Sequence, residues 1–122
     1  MKALSLKLSL ILLVLAAATA VSVSGTARLN NNPAADTTVV GYISDSSCGL
    51  KHMPGMGDDK SCTLVCVKGG SKFVLADRDH RRVYSLDKMG QEKARDFAGQ
   101  KVKVTGRVIG KTIRVTTIEA AT

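Results

Sequence analysis

Aromatic residues are scarce in this chain of 122 residues, which contains two Tyr, two Phe and no Trp. This scarcity disfavours functions that depend on stacked rings, such as the platforms that hold single-stranded nucleic acids. Three Cys and two His are too few for a disulfide-dense scaffold or for several metal sites. The length allows one domain and excludes a large enzyme. Among charged residues, 18 Lys and Arg against 10 Asp and Glu give a net charge of +8.

The longest apolar run covers residues 10–18 and is too short for the roughly 20 residues of a membrane-spanning helix. Lys2 and Lys7 precede it, and small residues end it at Ala18 and Ala20. A basic start, an apolar core and a small-residue end are the three parts of a secretory signal peptide. We therefore predict a signal peptide over residues 1–20 with cleavage near Ala20, and export to the periplasm or medium. An uncleaved membrane anchor is the alternative.

Residues 21–36 are small and polar and include three successive Asn. Such a segment buries too little apolar surface to offset the entropy lost on ordering, so we predict a flexible leader. The folded domain is then predicted to cover residues 37–122.

The periodicity of the domain predicts five strands and one main helix. Asp87 is a suitable N-cap for that helix, Gly90, Ala94, Phe97 and Ala98 fall on one of its faces, and Gly99 ends it. The strands are predicted at residues 37–44, 72–76, 82–86, 101–105 and 112–116.

The predicted order of elements is that of an OB-like barrel, in which a helix separates the third and fourth of five strands. The fold class is therefore mainly β (β-β-β-α-β-β), with a Cys-rich, partly helical insertion between strands 1 and 2. Gly41 and Gly106 fall within strands, where a small closed barrel needs bulges or sharp coiling. An open α+β sheet with the same elements is the alternative.

The insertion, residues 45–71, contains all three Cys and one of the two His. Each Cys or His has a partner four residues away, a spacing that places two side chains on one face of a helix. A short helix is predicted at residues 61–68, ended by Gly69. If the two pairs meet, they form a Cys3His set suited to zinc, made of Cys48, His52, Cys62 and Cys66.

Three interpretations of the insertion remain open. The first is a metal site for Zn or Cu, and the thioethers of Met53 and Met56 nearby favour Cu(I). The second is a disulfide from Cys48 to either other Cys, which leaves one spare thiol. The third is thiol-redox chemistry, although redox dithiols are usually spaced Cys-x-x-Cys. Asp58-Asp59 is interpreted as a solvated turn and His80 as a surface turn residue. No pattern of catalytic residues is present, so we predict a non-enzymatic binding domain.

Basic residues alternate with apolar ones along the last two predicted strands. They form a face that suits an anionic component of the cell envelope. Nucleic acid is disfavoured because stacking aromatics are scarce and the protein is predicted to be exported. The residues of this face are Lys101, Lys103, Arg107, Lys111 and Arg114.

Several motifs together resemble a family of small exported bacterial proteins, frequent in acidobacteria, whose domain has no known function. The resemblance covers residues 38–118 and implies export and an intact Cys/His insertion, without implying a substrate. It depends on GYISDSSCG at 41–49, His52, CTLVCVKGG at 62–70, FAGQKVKVTG at 97–106 and TIRV at 112–115.

Overall fold

The structure is a computed structural model and describes residues 34–122. The predicted signal peptide, its cleavage near Ala20 and most of the predicted leader lie outside the described residues. The last three leader residues, 34–36, contain neither helix nor strand. They contact the sheet through two hydrogen bonds, from Arg107 Nε to the Ala34 carbonyl and from the Thr116 hydroxyl to Asp36.

Five strands and two helices follow in the predicted order. The strands are β1 (Thr37–Asp45), β2 (Phe73–Asp77), β3 (Arg82–Leu86), β4 (Lys101–Ile109) and β5 (Thr112–Ala120). The helices are α1 (Asp59–Lys68) in the insertion and α2 (Lys88–Ala94), which a 3-10 turn (Arg95–Phe97) extends.

The five strands form one closed sheet in the order β1-β2-β3-β5-β4, with β4 pairing back onto β1. Every pair is antiparallel except β3 with β5, which run parallel over a short contact. The alternative prediction, an open sheet, is therefore wrong. The closed sheet surrounds the core, whose fully buried side chains include Ile43, Phe73, Leu75, Val102, Val104 and Ile113.

The last two strands each run four residues beyond their predicted ends. The register between them shifts between Thr105 and Gly106, where β5 carries one extra residue. Such a bulge interrupts the alternation of apolar and polar side chains in β5, so the period-two pattern stops before that strand does. In β4 the alternation continues, but the next inward residue is Gly106, which adds no apolar side chain to the pattern. A Cβ on Gly41 would lie 2.7 Å from the Ala76 carbonyl oxygen. The predicted structural role of both strand glycines is therefore confirmed.

The helix α2 begins as predicted, because the Asp87 carboxylate accepts a hydrogen bond from the Gly90 N–H at 3.0 Å. Gly90 lies close to β5, since a Cβ there would meet Val115 Cγ2 at 2.7 Å. The α-helix ends at Ala94, earlier than predicted, and the 3-10 turn carries the chain toward Gly99 (φ 76°).

The predicted basic face lies on the outside of β4 and β5. Val102, Val104 and Ile113 are fully buried, and the basic residues between them point away from the core. Arg107 pairs directly with Arg114 across the two strands. Within residues 34–122, no helix has the length and apolar character needed to cross a bilayer.

Candidate metal centre

Four side chains of the first strand and the insertion converge on one point. Their ligand atoms all lie within 4.8 Å of one another, and they belong to Asp45, Cys48, His52 and Cys62. Three of these residues were predicted from the sequence. Asp45, the last residue of β1, was not, although it stands only three residues before the first Cys.

The turn after β1 fixes the first two of these residues. Asp45 Oδ1 accepts hydrogen bonds from the N–H groups of Ser47 and Cys48, each at 3.0 Å. The Asp45 carbonyl accepts the Gly49 N–H at 2.8 Å, and Gly49 has a φ of 59°. An Asp that bonds to the backbone two and three residues later is an Asx turn, a signal readable in a sequence. Because Oδ1 is engaged in the turn, Oδ2 is the atom left to face the cluster.

The helix α1 supplies Cys62, which is completely buried. Asp58 caps this helix by accepting the Ser61 N–H at 2.7 Å, and this hydrogen bond lowers the pKa of Asp58. The helix ends at Gly69, as predicted. Its first turn packs closely on Gly99, where a Cβ would lie 2.7 Å from Lys60 Cα. Only glycine at position 99 allows α1 to approach the sheet this closely.

The imidazole of His52 lies between two carboxylates and reaches neither. Nδ1 is 4.0 Å from Asp45 Oδ2, and Nε2 is 3.7 Å from Asp59 Oδ1. The side chain of His52 is 10% exposed and that of Asp45 is fully buried. Within the described residues, both ring nitrogens and Asp45 Oδ2 lack a hydrogen-bond partner. Because buried polar atoms are ordinarily paired, the facing atoms His52 Nδ1 and Asp45 Oδ2 point to a ligand between them, while Nε2 faces Asp59.

A second layer of contacts surrounds the imidazole. Asp59 Oδ2 accepts a hydrogen bond from Arg78 Nη2 at 2.9 Å, and the Arg78 guanidinium lies 4.1 Å from the centre of the Tyr42 ring. A carboxylate facing the outer nitrogen of a metal-bound His orients the ring, and such partners are common around metal sites. Of the two residues interpreted as a solvated turn, Asp58 is exposed and caps α1, whereas Asp59 is the first residue of that helix and faces His52.

Cys66 lies one helical turn after Cys62 and is half-buried. Burial raises the pKa of its thiol to about 11, with further contributions from Asp45, Cys48 and Cys62. Burial, Cys48 and Asp45 likewise raise the pKa of Cys62. Cys66 thus lies beside the four-residue cluster, and its role as a ligand stays a prediction. Across residues 34–122 every Cys is a free thiol. Met53 and Met56 are exposed.

The spacing of the cluster is close to what one metal ion requires. Zinc binds Cys, His and Asp at about 2.0–2.3 Å in a tetrahedral arrangement, which places its ligand atoms about 3.3–3.8 Å apart. The four atoms lie within 4.8 Å of one another, so binding one ion would shorten their separations by at most about 1.5 Å. A metal would replace the protons that the raised pKa values keep on the thiols.

A cleft of about 1090 Å³ opens beside the cluster. Cys48 and His52 are among the residues that line it, so the cluster is reached from the surface on this side. The remaining wall comes from the insertion, from the turn between β2 and β3, and from β3 itself, and includes Leu50, Lys51, Asp59, Arg78, Arg81 and Val83.

In the comparison with known protein families, only the second half of the chain has a match. Residues 66–121 match a domain family described as a protein of unknown function, DUF5818. The match agrees with the resemblance to a domain without known activity. It begins at Cys66, so all four residues of the cluster precede the matched region. No curated protein and no solved structure was found to match the chain.

Proposed function

We propose that this chain is a non-enzymatic, exported metal-binding domain whose site is formed by Asp45, Cys48, His52 and Cys62, with Cys66 beside it. The observation that carries the proposal is the cluster of unpartnered buried atoms around one point, on Asp45 and His52, next to two thiols. A bound cation would satisfy the carboxylate and the imidazole at once. The cost of leaving them buried and unpaired would then be removed.

The scaffold is an OB-like barrel. Two features support this: the strand order β1-β2-β3-β5-β4, and the position of α2 between β3 and β4. The insertion corresponds to the loop between the first two strands, one of the loops that OB-folds use for ligands. Because the closed sheet holds the last residue of β1 in place, Asp45 provides a fixed end for the site.

The donor set favours zinc over copper. Zinc accepts a mixture of carboxylate, imidazole and thiolate ligands, whereas Cu(I) selects sulfur. With Asp45 as the fourth ligand, the site contains one oxygen, one nitrogen and two sulfurs. Cu(I) would instead require Cys66 as a third sulfur. The two metals therefore respond differently to variants: Asp45→Asn weakens zinc, and Cys66→Ser weakens Cu(I).

Export is supported by the signal-peptide pattern of residues 1–20 and by the family that the sequence resembles. Outside the cytoplasm, the basic face on β4 and β5 would meet anionic components of the envelope. The absence of an enzymatic role is part of the proposal and follows from the lack of a catalytic pattern in the sequence.

Metal content tests the proposal directly. The protein is purified under reducing conditions in the presence of zinc, freed of excess metal and analysed by elemental mass spectrometry. We expect about one equivalent of zinc in the unmodified protein, because structural sites bind zinc too tightly for such a wash to remove it. Cys62→Ser loses a ligand and should keep less than roughly one tenth of an equivalent. Less than a tenth of an equivalent in the unmodified protein would end the proposal.

Two rival functions predict different behaviour of the thiols, in labelling for the first and in disulfide exchange for the second. A disulfide-stapled interaction module would show one reactive thiol in the unreduced protein, whereas a metal site shows three after chelation. A thiol-redox protein would exchange disulfides with glutathione and lose that activity in Cys62→Ser. The raised pKa values of Cys62 and Cys66 argue against the redox rival, because the thiolate is the nucleophile.

A further inference from the structure

A basic groove runs across β3 from the metal cluster to the turn between β4 and β5. The cleft beside the cluster continues into a second depression, and the two share Arg81 and Val83. Gly110 and Lys111, in the turn between β4 and β5, line its far end. The five cations along this groove are Lys51, Arg78, Arg81, Arg82 and Lys111.

The charges of the groove are poorly neutralised. Asp59 is the one carboxylate in its lining, and it is hydrogen-bonded to Arg78. Within residues 34–122 none of the other four cations forms an ion pair, and all four are exposed. A row of unpaired cations in a depression concentrates positive potential and attracts anions.

Arg81 occupies a conformation that is unfavourable for a residue with a side chain. Its φ is 54°, and in residues 34–122 it is the single non-glycine residue with positive φ. The turn is fixed by Asp77, which accepts hydrogen bonds from the N–H and Nδ1 of His80. Glycine is the ordinary choice at such a position, and strained residues concentrate at functional sites. The strain is explained if the guanidinium is needed where the two depressions meet.

We propose that this groove binds a linear acidic polysaccharide, a chain of carboxylate-bearing sugars, through the cations of the β2–β3 and β4–β5 turns. Guanidinium groups pair with carboxylates through two parallel hydrogen bonds. The groove follows strand 3 of the sheet and ends at the two loops that OB-folds use for oligosaccharides and oligonucleotides. Stacking on bases requires exposed rings. Tyr84 is 9% exposed, Phe73 is 2% exposed, and Arg78 covers the ring of Tyr42. These rings favour the polysaccharide over nucleic acid.

Binding of the folded protein to polygalacturonate, measured by isothermal titration calorimetry, tests this proposal. The groove variant Arg81→Gly with Lys111→Ala loses two cations, and glycine at 81 relieves the strained φ, so the variant folds. We expect its affinity to fall by about tenfold, since each exposed charge contact contributes modestly. The matched control, Lys88→Ala with Lys93→Ala, loses the same charge from exposed positions on α2 outside the groove and the basic face, and should lose less than roughly threefold.

Four outcomes would overturn the proposal. These are equal losses in the two double variants, equal binding to neutral dextran, tighter binding to single-stranded oligothymidine, and loss of polygalacturonate binding on chelation. Binding retained after chelation supports it, because none of the five groove cations belongs to the metal cluster. The metal-free arm also separates the two proposals, since failure of metal binding leaves the groove result unchanged.

Discussion

Two strands of this domain end in a buried Asp followed by a His, and the Asp and His are hydrogen-bonded to each other at only one of the two ends. β1 ends at Asp45 and β2 at Asp77; both side chains are buried, and each uses Oδ1 to accept backbone N–H groups of the following turn. At Asp77 the second oxygen meets His80 Nδ1 at 2.7 Å. At Asp45 the second oxygen is 4.0 Å from His52 Nδ1.

Asp45 and His52 are too far apart for a hydrogen bond and have two thiols beside them, whereas Asp77 and His80 bond directly and need no ligand between them. His80 is 73% exposed and can be solvated from its outer side, whereas His52 is 10% exposed and has no hydrogen-bond partner among the described residues. A directly bonded Asp–His pair is a structural feature of a turn. A separated, buried pair flanked by Cys48 and Cys62 is the arrangement of metal ligands.

The largest expected difference lies in metal binding by the two histidine variants. His52→Ala should weaken zinc binding by more than the roughly 10–100-fold that loss of an outer-shell partner causes, because it removes a ligand. His80→Ala is the matched control and should bind zinc as the unmodified protein does. Competition with a chromophoric chelator measures both. Equal zinc affinities for the two variants would show that His52 is not a metal ligand.

The corresponding aspartate variants should separate stability from metal binding. Asp77→Asn weakens a charged hydrogen bond and should lower the free energy of unfolding by about 1–2 kcal/mol. Asp45→Asn keeps the oxygen that accepts the turn N–H groups and replaces the unpartnered buried Oδ2, so the metal-free protein should keep or gain stability. Its zinc affinity should fall at least about tenfold, since the amide is a poorer ligand than carboxylate.

Urea unfolding of the metal-free proteins, followed by zinc titration, measures both effects. If Asp45→Asn destabilised the metal-free protein more than Asp77→Asn does, Asp45 would be a structural residue and the comparison would fail.

Acid should release the metal. Binding through Cys48 and Cys62 displaces two thiol protons, so zinc affinity should fall by roughly a hundredfold for each pH unit below the thiol pKa values. The raised pKa of Cys62 extends this dependence above its ordinary value of 9.0. Zinc affinity measured between pH 8 and pH 6 checks the slope. An affinity that did not change over this range would exclude thiolate ligands.

The smallest expected effect concerns the metal-free protein at alkaline pH. Burial raises the pKa of Cys66 from its ordinary value of 9.0 to about 11, so between these values the unfolded chain loses the proton and the folded chain keeps it. Stability should therefore decline as pH rises from 9 to 11. Cys66→Ser should reduce this decline. An unchanged decline in Cys66→Ser would show that other groups cause it.

The fold was largely predictable because its signals are local. Alternation marked the strands, and Asp87 and Gly69 marked a helix start and a helix end. The end of β5 was missed because the bulge interrupts its alternation, and the end of β4 because its next inward residue, Gly106, adds no apolar side chain to the pattern. Closure of the sheet depends on contacts between distant strands, which the sequence suggested only through the order of its elements.

The candidate site was predictable only in part, because its geometry is not local. Cys and His attracted attention as chemically distinctive residues, whereas Asp45 resembles any turn residue until its second oxygen is located. Asp59 and Arg78 were missed for a similar reason, since their contact joins the insertion to the turn after β2. The convergence of β1 with α1 depends on Gly99, which lies far away in the sequence.

X-ray absorption spectroscopy of the zinc-loaded protein identifies the atoms bound to the metal. We expect a four-coordinate ion with two sulfur ligands at about 2.3 Å and two lighter ligands at about 2.0–2.2 Å. One lighter ligand should disappear in His52→Ala and none in His80→Ala. A zinc environment made only of oxygen and nitrogen would show that Cys48 and Cys62 are not ligands.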